Sequence, residues 1–176
     1  MRAGSLRVFS FKGTSREMVS RLIDTNRDRL TRYFADISLH PEDLAIPERS
    51  YVKTRRQYSA RPFLEMLEKH THSSAHALGL VDLDLFAPSL NFIFGTAQFG
   101  GNAIVALPRL RRPSYGLPDD DSLFFERASK EVVHELGHVL GLRHCTNHCV
   151  MQFSNSLFDT DRKPASFCQE CLLSLE

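Results

Sequence analysis

Tryptophan is absent from the sequence, cysteine occurs four times in 176 residues, and neither sign of charge dominates, since the formal net charge is +1. A net charge this small argues against nucleic acid or an anionic membrane as a partner, because both select strongly basic surfaces. Four cysteines are too few for a disulfide scaffold but enough for one metal site. No segment approaches the ~20 consecutive apolar residues of a membrane-spanning helix.

The start of the chain also lacks a targeting signal, because residues 1–11 contain no apolar stretch followed by a small-residue cleavage site. We therefore expect a cytoplasmic protein, in which cysteines serve more often as thiolate ligands than in disulfides. Hydrophobic residues make up 42% of the chain and charged residues 24%, which is typical of a globular protein with one buried core. We expect a single domain over residues 1–176 and a monomer.

Apolar alternation and short apolar runs predict four strands. They cover residues 6–11, 77–81, 91–95 and 102–107. Helical spacing predicts a first helix that carries Leu30 and Phe34 on its apolar face, and a second helix over residues 60–70. Residues 98–101 predict the turn of a hairpin between the last two strands. Residues 41–58 are expected to form an irregular loop.

The third predicted helix begins near Ser122 and has an apolar stripe at helical spacing. The stripe consists of Phe125, Ala128, Val132, Val133, Leu136 and Val139. Gly141 follows the stripe and is typical of the residue that ends a helix in a left-handed conformation. Residues 142–176 contain all four cysteines and few aliphatic residues. We therefore expect the domain to consist of an N-terminal subdomain, residues 1–141, and a small cysteine-rich subdomain, residues 142–176.

The third helix contains the pattern His134-Glu135-Leu136-Gly137-His138. Residues four apart lie one turn from each other on the same face of a helix, so that His134 and His138 can bind one zinc ion. Glu135 lies beside the first ligand and cannot bind at the same time, but it can take a proton from the attacking water. Glu135 is therefore the candidate general base.

A third histidine completes the ligand set. After the turn at Gly141, His144 can return to the same ion, and this whole combination would arise by coincidence in roughly 1 in 10,000 chains of this composition. Three histidine ligands leave a fourth position open for water, which is the arrangement of catalytic zinc sites and not of closed structural ones. The pattern thus favours catalysis over the alternative, a non-catalytic zinc clasp.

The extended motif from His134 to His144 resembles that of the metzincin metallopeptidases. In that clan a methionine turn lies beneath the zinc, downstream of the helix, and Met151 is the candidate for it; a methionine that merely packs in the core is the alternative. The resemblance also implies an edge strand above the substrate cleft, at the end of the strand predicted over residues 91–95, to which an extended peptide could bind by backbone hydrogen bonds. The residues of this edge strand are Gly95, Thr96 and Ala97.

The four cysteines form two closely spaced pairs. They are Cys145 with Cys149, and Cys168 with Cys171. Two such pairs are typical of a tetrahedral structural zinc site, and a metal can hold together a tail that has too few aliphatic residues to fold by burial alone. A redox-active pair at residues 168–171 is the alternative, but it would need a strand–turn–helix context that the sequence does not show. His148 lies in the same region and could replace a cysteine in the cluster, but it is expected to face solvent.

The HELGHVLGLRHC segment, the following CVM and the terminal CQEC together resemble the archaemetzincin family. The resemblance implies an α/β (α+β) metzincin-like fold, in which a twisted mixed β-sheet packs on the active-site helix and zinc staples a small C-terminal subdomain. It also implies two zinc ions, a catalytic one on the three histidines and a structural one on the four cysteines. The specific motifs span residues 134–171, and weaker likeness occurs in residues 56–58 and 83–95.

Two spacings depart from the archaemetzincin pattern. Three residues separate Cys145 from Cys149, where the family pattern has four. The stretch from Met151 to Cys168 is one residue shorter than in the family. Loops tolerate such deletions, so that we keep all four cysteines as candidate ligands.

The expected reaction is the hydrolysis of a peptide bond in a peptide or protein. Some metzincins stabilise the oxyanion with a tyrosine after the methionine turn, but Phe153 lies in that region and no tyrosine follows Tyr115, which predicts slow turnover. The sequence leaves open whether the enzyme is an endopeptidase or an aminopeptidase. A non-enzymatic zinc-binding protein with the same fold is the alternative. Nucleic-acid binding through the arginine-rich N-terminal half is the least favoured possibility, and no nucleic-acid or membrane partner is expected.

Overall fold

Eight strands and five helices make up the computed structural model over the residues that it describes, 3–72 and 75–175. The strands are β1 (Ala3–Ser10), β2 (Phe34–Leu39), β3 (Tyr51–Val52), β4 (Gln57–Ser59), β5 (Ala75–Val81), β6 (Leu85–Phe86), β7 (Gly95–Ala97) and β8 (Ala103–Ala106). The helices are α1 (Arg16–Leu30), α2 (Arg61–Lys69), α3 (Asp121–Val139), α4 (Leu157–Arg162) and α5 (Gln169–Leu173), and two short 3₁₀ turns, Pro108–Leu110 and Arg112–Tyr115, precede α3.

Five strands form the main sheet in the order β2-β1-β5-β8-β7. Neighbouring strands run parallel except β7, which pairs antiparallel with β8 at the edge of the sheet. The strands β3, β4 and β6 form a second, smaller sheet. This mixed sheet with its helices confirms the α/β (α+β) fold class expected from the sequence.

The central strands are apolar on both faces because helices cover both sides of the sheet. On one face, Leu78 and Val105 pack in a buried cluster with residues of α1 and α3. On the other face, Phe9 and Ile104 pack with Phe63 of α2. Helix α3 therefore lies against the sheet beside β7 and β8. Within residues 3–72 and 75–175, no helix combines the length and the apolarity that a membrane crossing needs.

Two predictions for the N-terminal half are wrong. The first helix ends at Leu30, and Phe34 begins β2 instead of continuing the helix. Leu30, Phe34 and Ile37 are all buried. Their three- and four-residue spacing is the one expected for a helix, although the chain passes here into an edge strand. Residues 41–58 are not wholly irregular, because β3 pairs antiparallel with β4 there.

The strand predicted over residues 91–95 is also wrong, because the edge strand begins at Gly95. The apolar run before it owes its character to tertiary packing, since Phe94 is buried in the cluster with α1 and α3 and Ile93 in the cluster with α2. The hairpin turn predicted over residues 98–101 is confirmed, because it joins β7 to its antiparallel neighbour β8.

Residues 142–175 pack against the end of α3 as a third apolar cluster. Val133 of α3 lies there among Val150, Met151 and Phe167. The segment gains two short helices, α4 and α5, of which α4 begins with a reciprocal hydrogen-bonded cap between Ser156 and Asp159. The division of the chain into subdomains at residue 141 stays a prediction.

Candidate active site and cysteine cluster

Helix α3 and the turn behind it bring three histidines together. Packing of α3 on β7 and β8 fixes which face of the helix carries His134 and His138. Gly141 then adopts a φ of +95°, a conformation that favours glycine. The chain reverses at this residue, and His144 returns to the two helical histidines.

The three imidazole rings surround a common point. Their centroids are 4.8 Å apart for His134 and His138, 5.3 Å for His134 and His144, and 4.8 Å for His138 and His144. The Nε2 atoms of His134 and His138 lie 3.2 Å apart. Two imidazole nitrogens on a tetrahedral zinc ion, with bonds of about 2.0–2.1 Å, would lie about 3.3 Å apart. The spacing of the rings therefore fits a zinc ion.

Backbone carbonyl groups fix the orientation of both helical rings. Nδ1 of His134 donates to the carbonyl of Val150 at 2.8 Å, and Nδ1 of His138 donates to that of Leu142 at 2.7 Å. Because a carbonyl oxygen can only accept, each Nδ1 carries the proton and each Nε2 presents a lone pair. Two such lone pairs at this distance would repel each other unless a cation lay between them. The donor set thus fits a metal chemically as well as geometrically.

The surroundings also keep the three rings neutral. Burial lowers the pKa of His134 well below its ordinary value, and the nearby ammonium of Lys163 lowers it further. Burial likewise lowers the pKa of His138 and that of His144. Neutral imidazole is the form that binds a metal, so that no proton has to be displaced near neutral pH.

Glu135 lies buried beside this ring cluster, with 3% of its surface exposed. Burial raises the pKa of its carboxyl group well above the ordinary value, and the negative charge of Glu131 raises it further. Among the described residues, its Oε2 has no hydrogen-bond partner, which is uncommon and costly for a buried carboxyl group. An unpartnered acceptor next to three converging imidazoles suits a site that receives a water or a substrate.

The edge strand β7 leaves room for this carboxyl group because its first residue is a glycine. A Cβ atom on Gly95 would lie 2.6 Å from both Cγ and Oε1 of Glu135, closer than any stable contact between such atoms. A larger residue must therefore push either the strand or the carboxyl group aside. The sequence predicts Gly95 in the edge strand, but the need for a glycine there becomes visible only in the structure.

We expect Gly95→Ala to lower kcat for peptide hydrolysis by about 100-fold, because a displacement of about 1 Å at a catalytic group can cost that much. The zinc content, measured by mass spectrometry, should not change. Gly101→Ala is a matched control, since a Cβ there would meet Gln98 at 2.9 Å and would strain the same hairpin without touching Glu135. Equal losses of kcat in the two variants would argue against the specific role of Gly95.

Met151 lies fully buried directly beneath the ring-bearing end of α3. Gly137, between the two helical histidines, allows this approach: a Cβ on Gly137 would collide with Sδ of Met151 and would lie 3.0 Å from Phe167. A glycine inside a helix lowers the stability by about 1 kcal/mol relative to alanine. Its presence at a helical position is therefore a signal in the sequence that another residue approaches closely there. Met151 therefore stays the candidate for the methionine turn.

A cleft of about 800 Å³ opens above the histidines. The β7 residues Gly95, Thr96 and Ala97 line it together with Glu135 and the three histidines. Two exposed phenylalanine rings lie beside the three histidines. Phe99, 62% exposed, lies edge-on to His138 with ring centroids 5.6 Å apart. Phe153, 47% exposed, has its ring centroid 5.0 Å from that of His144. Phe153 has no hydroxyl group with which to stabilise an oxyanion.

The sulfur atoms of the four cysteines come together in a second cluster, all within 4.8 Å of one another. The Sγ atoms of Cys145 and Cys168 are 3.8 Å apart, and those of Cys149 and Cys171 are 3.7 Å apart. These distances exceed the ~2.05 Å of a disulfide but match the ~3.8 Å between thiolates on a tetrahedral zinc ion. The shorter first loop therefore does not keep Cys149 from the cluster, whereas His148 is exposed as expected.

The electrostatics of the cysteine cluster also suit a metal. The backbone N–H of Cys171 lowers the pKa of Cys168 to about 6, so that this sulfur is a thiolate near neutral pH. Burial raises the pKa of Cys171, which means that this thiol needs a cation beside it before it ionises. A zinc ion supplies that cation when it binds.

Comparison with known proteins decides the family. The family model described as Peptidase family M54 matches residues 8–176. The chain belongs to peptidase family M54. An archaemetzincin of Pyrococcus horikoshii is 43% identical over 173 residues, which cover 95% of this chain and 92% of that protein.

Solved structures of related proteins agree with the M54 assignment. The crystal structure of an archaemetzincin from Methanopyrus kandleri has a TM-score of 0.83 at 37% identity and covers 98% of this chain and 93% of that one. A zinc-dependent peptidase from Methanocorpusculum labreanum has a TM-score of 0.78 at 27% identity, with 97% and 100% covered. The resemblance to archaemetzincins, the metzincin-like fold and the class of zinc metallopeptidase are therefore confirmed.

Two buried charged residues beside the histidine motif of this M54 peptidase were not predicted from the sequence. Glu131 lies one helical turn before Glu135 and lines the cleft. Lys163 follows α4 and forms an ion pair with Glu131 at 2.8 Å. The sequence held a signal for the first, because a glutamate four residues before the candidate base shares its helix face.

Proposed function

We propose that the protein hydrolyses peptide bonds at a catalytic zinc ion held by His134, His138 and His144, with Glu135 as the general base. The observation that carries this proposal is that the unpartnered carboxyl oxygen of Glu135 and the converging histidine rings border the same cleft. Zinc, when bound, supplies Lewis acidity, which makes water more acidic and polarises the scissile carbonyl.

The residues of the chain supply the remaining steps. Glu135 accepts a proton from the attacking water and later delivers it to the leaving amine, a double role that suits a carboxyl group whose pKa is raised. Among the described residues, no strand pairs with the outer edge of β7. Its backbone groups, Gly95–Ala97, can therefore bind an extended peptide. Phe153 lies where some metzincins have a tyrosine that stabilises the oxyanion. The oxyanion therefore depends on zinc or on backbone donors, which supports slow turnover.

The cysteine cluster serves a structural role in this proposal. Cys145, Cys149, Cys168 and Cys171 hold a second zinc ion, whose closed ligand set leaves no position for water. This gives two zinc ions per chain. Met151, beneath the rings, acts as the methionine turn. A monomer and a cytoplasmic location stay predictions, of which the first is tested by sedimentation of the holoenzyme.

Zinc removal tests the proposal directly. We expect native mass spectrometry to find two zinc ions per chain, and a peptide library to be cleaved until a chelator removes the more exposed histidine-bound ion. Adding zinc back should restore cleavage. An N-acetylated copy of the library distinguishes an endopeptidase from an aminopeptidase, because only an endopeptidase cleaves peptides whose N-terminus is blocked. A protein with two zinc ions that cleaves neither library would instead be the non-enzymatic zinc-binding protein.

A further inference from the structure

A buried ion pair lies directly beside the histidine centre. Nζ of Lys163 is 2.8 Å from Oε1 of Glu131, and the two side chains are 1% and 3% exposed. The hydroxyl of Thr160 in α4 also donates to this carboxylate, at 3.3 Å. The ammonium lies 3.5 Å from Nδ1 of His134 and 3.5 Å from the carbonyl of Gln152. The pair thus connects α3, α4 and the segment behind Met151.

A contribution to the stability of the fold does not by itself explain why this buried ion pair is present. Moving two charges out of water costs several kcal/mol for each ion, and apolar residues of the same size often replace a buried pair without loss. Breaking the pair on one side is different, because the remaining charge is then buried without a partner. Loss of Lys163 would therefore leave the carboxylate of Glu131 buried and unpaired.

Glu131 would compete with the general base. It precedes Glu135 by one turn on the same face of α3, and both residues line the cleft beside the histidines. Without Lys163, the side chain of Glu131 can rotate about its bonds. Once the metal is bound, it is a cation in the same cleft to which this carboxylate is attracted. It can turn towards that metal, add an unwanted ligand, and occupy the space in which water and substrate must lie.

We propose that Lys163 is a positioning residue for this site: its ammonium holds the Glu131 carboxylate against α4 and so leaves Glu135 free to act in the cleft. The inference rests on the proposed function of the three histidines as a metal centre. It assigns to Lys163 no contact with substrate. Its effect passes through the orientation of Glu131.

Cobalt substitution tests this inference without reference to activity. With Co²⁺ in the histidine site and zinc in the cysteine site, the visible spectrum reports the number of ligands, because it depends on coordination geometry. We expect Lys163→Met to shift the spectrum towards a higher coordination number and to lower kcat by about 10- to 100-fold. The double variant Lys163→Met/Glu131→Gln, which has no free carboxylate, should recover the wild-type spectrum and most of kcat.

A second buried lysine, on helix α3 itself, provides the matched control. Lys130 is also buried, pairs with Glu126 at 2.7 Å and donates to the backbone carbonyls of Thr160 and Asp161 in α4. It supports the same helix as Lys163 does, but its ammonium does not pair with Glu131 and its side chain does not line the cleft. Lys130→Met should therefore lower thermal stability but leave kcat and the cobalt spectrum unchanged.

Three results would overturn the inference. They are a wild-type spectrum and kcat in Lys163→Met, a double variant as impaired as the single one, and a Lys130→Met variant with the same spectral change. If Lys163→Met does not fold, the double variant alone decides, since a folded double variant with an altered spectrum contradicts the inference. Because the spectrum is recorded without substrate, a wild-type protein that cleaves no peptide would refute the proposed function and leave this test standing.

Discussion

Glu135→Gln is expected to lower kcat for peptide hydrolysis by about 100- to 10,000-fold, the range that a general base contributes. Glutamine has the same size and shape, so that the close contact with Gly95 is preserved. Its amide cannot accept a proton from water. The chemical step therefore loses its base, while His134 and His138 keep their orientation because their Nδ1 hydrogen bonds go to backbone carbonyls and not to Glu135.

Zinc content and thermal unfolding serve as controls for this variant. Two zinc ions per chain should remain bound, and the melting temperature should be equal or higher, because a neutral amide costs less to bury than an unpartnered carboxylate. Glu135→Asp should retain part of the activity, since it keeps a proton acceptor but withdraws it by one methylene. A Glu135→Gln variant that keeps wild-type kcat with both zinc ions bound would show that another group removes the proton.

Local patterns predicted the part of the fold that carries the site. The buried runs of β5 and β8 and the apolar stripe of α3 depend on short-range spacing, which the sequence displays directly. The errors at Phe34 and at residues 91–94 have a different origin. There Phe34, Ile93 and Phe94 are buried against strands and helices that lie far away in the chain, so that their apolar character reflects tertiary packing and not the local conformation.

The candidate site divides in the same way. The histidine positions follow from one helical turn and one left-handed glycine, both of which are local features. The approach of Gly95 to Glu135 and the pairing of Glu131 with Lys163 join residues that lie far apart in the sequence. No spacing rule encodes such contacts. The sequence could therefore nominate the candidate ligands but not the residues that surround the carboxyl group of Glu135.

The two candidate metal sites share one short segment of backbone. Cys145 directly follows His144, and its N–H donates to the carbonyl of Met151 at 3.0 Å. Cys149 precedes Val150, whose carbonyl accepts the Nδ1 proton of His134. A loss of order among the cysteines would therefore remove both the anchor of the third histidine and the hydrogen bond that orients the first.

Cys149→Ser is expected to release the second zinc ion and to destabilise the protein by about 4 kcal/mol or more, as loss of a structural metal does. For a chain of this length, that corresponds to a fall in melting temperature of roughly 10 °C. Peptidase activity should fall too, because Val150 and His144 lose their support. His148→Ser, at an exposed position between the same two cysteines, should change neither the zinc content nor the melting temperature nor the activity. If Cys149→Ser kept two zinc ions and its melting temperature, the shortened loop would have removed Cys149 from the ligand set after all.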